Sequence, residues 1–221
     1  MTVWAGRGGL IMNDRSSNGR LHLALLVSLT AVLVWSAIKP HDLFTWVLEA
    51  LPAMVGVLIL LVTYKRFRLT NLAYVLIWIH CMILLVGAHY TYARMPAFNW
   101  LMDTLDLGRN HYDRVGHIAQ GFIPAILARE LLLRTSPLRK GKWLSFIIVC
   151  LCLAISAFYE LLEWSAAAVT GTAADMFLGT QGDVWDTQKD MALCLLAAII
   201  ALVTLGPVHD RSLDKIGVET E

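Results

Sequence analysis

The chain has 221 residues, 57% of them hydrophobic and 16% charged, with a formal net charge of +1 and a mean hydropathy of +0.62. Those values lie outside the range of soluble globular domains. Lipid is the expected solvent and nucleic acid is excluded as a partner.

Residues 1–20 read as a cytoplasmic extension that carries Arg7, Arg15 and Arg20. The first long apolar run, 21–38, exceeds the roughly 7–15 residues of a secretory signal and lacks a small-residue cleavage site, so an uncleaved first span is expected. A second run, 43–64, contains Glu49 near its start and ends at the basic loop Lys65, Arg66 and Arg68. The third, 69–92, has His80 near its middle, read as a packed, hydrogen-bonded histidine, and His89 near its end. Phe98, Leu101, Met102 and Leu105 then have the spacing of a short interfacial helix.

The fourth run, 112–133, opens with Asp113, Arg114 and His117 and leads into the basic loop Arg134, Arg139, Lys140 and Lys142. The fifth, 143–169, carries Tyr159, Glu160 and Glu163, and the sixth, 185–206, begins with Asp186 and Asp190 just after Asp183. A tail, 209–221, holds Arg211 and Lys215. Each run approaches the roughly 20 residues a helix needs to cross about 30 Å of hydrocarbon. Continuous runs such as 56–62, without period-two alternation, favour a helical bundle over a barrel. The expected fold is all-α, a polytopic membrane bundle of about six transmembrane helices spanning 21–208 as one domain. Lysine and arginine concentrate before the first run, in alternate loops and after the last, which predicts both termini cytoplasmic. Cys81, Cys150, Cys152 and Cys194 lie in apolar runs without zinc-site spacing and read as packing residues.

Counting back from each basic flank gives a depth. Lys65 to Glu49 is 16 residues, Arg68 to His89 is 21, Arg134 to His117 is 17, Lys142 to Glu160 is 18 and Arg211 to Asp190 is 21. At about 1.5 Å per residue all land roughly 24–32 Å away, at the opposite interface. Within helices the spacing selects faces: Asp113 and His117 are i, i+4, Glu160 and Glu163 are i, i+3, and Asp183, Asp186 and Asp190 follow i, i+3, i+7. Caps and wetted interfacial groups explain such residues singly, Asp113 and Asp186 above all. Glu160 and Glu163, set between Phe158, Leu161, Leu162 and Trp164, need partners, because an unpaired carboxylate there costs roughly 2.5–3.5 kcal/mol or more.

Carboxylates meeting imidazoles can bind a cation, share protons or grip a polar substrate. Asp113, His117, Glu160, Asp186 and Asp190 form an oxygen-rich candidate set for a divalent metal cation of the Mg, Mn or Fe type, although neither H-E-x-x-H nor E-x-x-H occurs. Acid and base roles fall to Asp113, His117, Glu160, Glu163, Asp186 and Asp190. Arg114, His89 and Tyr159 are candidate substrate contacts. Arg114, Arg109, Arg94 and Lys189 either neutralise nearby aspartates or clamp a phosphate.

Three stretches carry a family likeness: residues 110–117, Asn-His-Tyr-Asp-Arg-Val-Gly-His; residues 159–164, Tyr-Glu-Leu-Leu-Glu-Trp; and residues 178–188, Leu-Gly-Thr-Gln-Gly-Asp-Val-Trp-Asp-Thr-Gln. With residues 35–38, Trp-Ser-Ala-Ile, and 89–92, His-Tyr-Thr-Tyr, they resemble the signature of the YjdF family of bacterial inner-membrane proteins, over about 21–208. The resemblance implies location and topology more than chemistry. The motif order is also similar to VanZ-like proteins, linked to glycopeptide-antibiotic tolerance: Asp113, Arg114 and His117 match one element, Glu160 or Glu163 a second, and Asp186 with Asp190 a third. This chain differs from them in loop lengths and in having two early spans.

The expectation is an inner-membrane protein with a periplasm-facing acidic and histidine pocket acting on a lipid-linked or phosphate-bearing substrate. A proton- or cation-coupled solute transporter and a non-catalytic membrane scaffold are the alternatives. Membrane lipids are the expected surroundings in each case.

Overall fold

The computed structural model describes residues 8–170 and 180–218, with side chains from residue 18 onward. Arg7 of the N-terminal extension, the side chain of Arg15, and Leu178 and Gly179 of the third family stretch lie outside the described residues.

Among the described residues the chain is all-helical. The helices are α1 (Gly8–Ala37), α2 (Leu43–Thr63), α3 (Asn71–Tyr90), α4 (Pro96–Leu105), α5 (Tyr112–Thr135), α6 (Lys142–Thr170) and α7 (Asp186–Asp214), with a 3-10 turn at Tyr92–Arg94. Local chemistry sets several boundaries. The Asp42 carboxylate accepts from Thr45 N at 2.7 Å and starts α2, and Thr70 Oγ1 accepts from Ala73 N at 3.2 Å and starts α3. Pro96 opens α4, the amphipathic helix read from the Phe98 to Leu105 spacing, and Asp106 closes it in the left-handed region at φ 52°. The helical backbone of α1 and α7 extends beyond the apolar runs at both ends of the chain.

Five helices are long and apolar enough to cross a membrane: α1 (from Asn18), α2, α3, α6 and α7. The fourth expected run, now α5, has the length at 24 residues but not the composition, since it carries Asp113, Arg114, His117, Arg129, Glu130 and Arg134. Its placement explains why. The helix packs on α3, α6 and α7, so its polar groups meet protein rather than lipid. Two apolar clusters flank it. One joins α5, α6 and α7 through Ile123, Ile126, Ile148, Cys152, Cys194 and Ala198, and the other joins α1, α2 and α3 through Leu29, Ala50, Ala53, Cys81 and Leu85. Outward faces show Leu58, Val62, Leu161 and Val203 more than half exposed, as a lipid-facing surface requires.

The backbones of α5 and α7 approach closely at Gly121. A Cβ on Gly121 would lie 2.0 Å from the Cys194 carbonyl oxygen, so only glycine lets the two backbones meet there. Gly121 is one turn beyond His117, and Cys194 one turn beyond Asp190. That contact sets the geometry of the site.

Candidate acidic centre

Antiparallel packing brings one end of every long helix to the end of the bundle opposite the basic loops. There Asp113 and His117 of α5, Glu160 and Glu163 of α6, Asp186 and Asp190 of α7, and Glu49 of α2 are all buried. His117 Nε2 stands 3.6 Å from Asp113 Oδ1 and 3.5 Å from Glu160 Oε1, while Gln120 Oε1 holds Nδ1 at 3.1 Å. One ligand atom each from Asp113, His117 and Asp190 lies within 4.8 Å of the others. Glu163 lies within electrostatic reach of Asp113, Glu160, Asp190 and Glu49, and Tyr159 shares several of these neighbours.

The centre is short of positive charge, and several of its polar atoms make no hydrogen bond. Glu49 Oε2, Glu160 Oε1, Asp190 Oδ1 and the Tyr92 hydroxyl are buried without a hydrogen-bond partner. A buried, unpartnered carboxylate oxygen costs about 1–3 kcal/mol, more when charged. Protons or a cation must therefore share the space when the site is populated. The clustered ligand atoms belong to two carboxylates, Asp113 and Asp190, and one imidazole, His117, with Glu160 alongside, an oxygen-rich set suited to a hard divalent ion.

A rim of ion pairs closes the centre. Arg109 bonds Asp186 through both terminal nitrogens, and Asp183 takes Lys189 Nζ at 2.6 Å, Arg114 Nη2 at 3.1 Å and Arg109 Nη1 at 3.6 Å. The Lys189 hydrogen bond is the main reason the Asp183 carboxyl is held below the usual carboxylate range. Gln181 fastens the loop before α7 to the start of α5: its Oε1 accepts from Asn110 N and its Nε2 donates to Asn110 O, both at 2.9 Å. Asn110 Nδ2 in turn donates to Met95 O at 3.0 Å and Asn99 Oδ1 at 2.7 Å, tying α4 to the same rim. His111, on this rim, titrates below its ordinary value because of burial and then the charges of Arg114 and Arg109, and its Nδ1 is buried without a partner.

The structure thus gathers Asp113, His117, Glu160, Glu163 and Asp190, adds Glu49, and puts Asp186 on the inner rim with Arg109. Arg114 is on the outer rim with Asp183. Tyr159 faces the same carboxylates. His89 stands apart: its Nδ1 is 3.1 Å from the Ser36 carbonyl, and its ring packs on Trp35 at 4.3 Å and Tyr90 at 4.7 Å. Depth placed it at this level, but its helix face looks toward α1. His80 is half-buried and makes no hydrogen bond among the described residues, contrary to the reading of it as a bonded core histidine.

Sequence reasoning missed the bracing roles of Asn110 and Gln181, and a second polar cluster at the other end. There Glu130, fully buried, accepts from Thr70 N at 2.9 Å, Thr70 Oγ1 at 2.7 Å, Arg134 Nη1 at 2.7 Å and His209 Nε2 at 3.1 Å. Arg129 donates to His209 Nδ1 at 2.9 Å and to Asp210 at 2.6 Å, and Lys140 reaches Asp210 at 3.2 Å. Arg129 and Glu130 beside each other in an apolar run were the available signal.

Apolar, outward-facing helices around a buried acidic centre define a polytopic helical membrane protein. The chain matches a family described as "Predicted membrane protein (DUF2238)" over residues 21–211, and it belongs to that family. It is 46% identical over 194 residues to Inner membrane protein YjdF of Escherichia coli strain K12, covering 88% of this chain and 93% of the relative. No solved structure matches the chain. The likeness to VanZ proteins rests on motif order alone.

Proposed function

We propose that the acidic centre is a binding site for a hard divalent cation, placed on the periplasmic side, where it serves a lipid-linked or phosphate-bearing substrate. The observation that carries this reading is the Asp113, His117 and Asp190 triad, with its ligand atoms within 4.8 Å, beside buried oxygens of Glu160 and Asp190 that make no hydrogen bond. An ion bound at about 2.0–2.6 Å allows ligand atoms on opposite sides to be about 4.0–5.2 Å apart, so the triad needs little rearrangement. The periplasmic placement follows from the basic loops at the other end. All six long helices, α5 included, cross the bilayer in this account, and both termini are cytoplasmic.

A bound cation supplies charge neutralisation and a polarised water. Glu160 and Glu163 hold protons near it, and Asp186 keeps Arg109 against the inner rim. Arg114, partly exposed on the outer rim, lies at the level of the phosphate headgroups. Elemental analysis of purified protein tests the first half, with one ion per chain expected in wild type and a large loss in Asp190→Asn. Lipid and lipid-phosphate profiles test the second half. A strain lacking the protein is expected to accumulate a phosphate-bearing lipid species that wild type clears and Asp113→Asn does not. Metal-free wild type with unchanged lipid profiles and proton-driven solute uptake in proteoliposomes contradicts this reading in favour of a transporter.

A further inference from the structure

A separate cavity lies at the opposite end, between α1 and α2. Both helices pack on α3 but scarcely touch each other. The cleft between them holds a cavity of about 420 Å³ beside His22, Tyr64, Lys65 and Trp78, and a second of about 280 Å³ toward Leu33 and Leu85. Leu26, Leu29, Val57 and Leu61 line both, so the two form one apolar groove.

From His22 to Leu33 on α1, and from Tyr64 to Ala53 on α2, the groove runs eleven residues. That is about 16 Å at about 1.5 Å per residue, close to half of a roughly 30 Å hydrocarbon core. It matches one leaflet.

The mouth is polar and basic. Arg68 Nη2 donates to Tyr64 Oη at 2.6 Å, which lies 2.8 Å from His22 Nδ1, and His22 Nε2 is 2.9 Å from Asn71 Oδ1. Asn71 Nδ2 donates to Asn18 at 2.7 Å, which leaves Asn71 Oδ1 to accept from His22 Nε2 and His22 Nδ1 to accept from the tyrosine hydroxyl. This chain of bonds stitches the ends of α1, α2 and α3 around the opening without using a carboxylate. Lys65, exposed at the same mouth, has no acidic partner among the described residues, and neither has its exposed chain neighbour Arg66.

We propose that this groove is a binding site for one anionic phospholipid of the leaflet on the Lys65 side. An acyl chain lies along Leu26, Leu29, Val57 and Leu61, and the phosphate meets Lys65 and Arg68. The unmatched positive charge favours an anionic headgroup over a zwitterionic one.

Full-length protein in mild detergent, incubated with vesicles of equal parts phosphatidylglycerol and phosphatidylethanolamine and examined by native mass spectrometry, tests the proposal. Monomer carrying one phosphatidylglycerol is expected. Lys65→Gln with Arg68→Gln is expected to lower that retention about ten- to thirty-fold. Lys65→Gln alone, which breaks no internal hydrogen bond, is expected to give part of the loss. Val57→Trp, which fills the groove, is expected to abolish retention of either lipid while melting temperature stays unchanged. Equal retention of the two lipids, indifference to Val57→Trp, or a second copy of the chain in place of lipid would each overturn it.

Discussion

Glu163 and Glu130 show two fates of a buried carboxylate. Glu163 faces Asp113, Glu160, Asp190 and Glu49, all of its own charge sign. Folding Glu163 among them requires that it hold a proton, which a glutamine does not need, so Glu163→Gln is expected to raise the melting temperature of chelator-treated protein at neutral pH, at about 2–4 °C per kcal/mol gained. A clear fall would contradict that account. Glu130 has four donors around it, and Glu130→Ala strands His209, Arg134 and Thr70. The expected cost is about 3–5 kcal/mol in thermal or denaturant unfolding. Asp183, outside the spans, gives the pH dependence. Its folded carboxyl is held low by Lys189, so its stabilisation is complete above the ordinary aspartate value near about 4 and is lost as pH falls through the folded value. Wild type should therefore melt above Asp183→Asn at neutral pH, with the two curves converging in acid.

At the scale of elements, the α5 and α7 crossing decides whether the centre exists. Gly121→Ala forces a Cβ into the Cys194 carbonyl and must part the helices one turn from His117 and Asp190. Overpacking of this kind costs typically about 1–3 kcal/mol. Here it is also expected to weaken cation binding, whereas Gly56→Ala, on open α2 surface, leaves both unchanged. Residue counting along each span could place Asp113, His117, Glu160 and Asp190 at one depth, because helical rise is fixed. It could not tell that His89 turns toward Trp35, or which of the chain's fifteen glycines marks a crossing, since those depend on which helix lies alongside. The apolar pattern exposed α1, α2, α3, α6 and α7 plainly. It was weakest for α5, whose charges are tolerated only because α3, α6 and α7 surround it.

Across the whole molecule, two polar layers sit at opposite ends of the bundle with different degrees of satisfaction. The layer of Glu130, His209, Arg129 and Asp210 pairs its charges and fastens α3, α5 and α7. Arg134, His209 and Asp210 lie just outside the apolar runs and resemble ordinary flanking charge, whereas Arg129 and Glu130 lie inside the fourth run. The layer of Asp113, His117, Glu160 and Asp190 leaves oxygens unpartnered, and stability alone does not account for that arrangement. Cation binding there would join α5 and α7, whose carboxylates Asp113 and Asp190 otherwise repel, with Glu160 of α6 alongside. Manganese titration read by pulsed electron paramagnetic resonance tests this most directly. One Mn²⁺ per chain is expected, with nitrogen coupling from His117 that disappears in His117→Ala and binding that collapses in Asp190→Asn but survives Glu130→Gln. Mn²⁺ that binds without nitrogen coupling, or equally well in Asp190→Asn, would contradict the convergence of α5 and α7 on a shared ion.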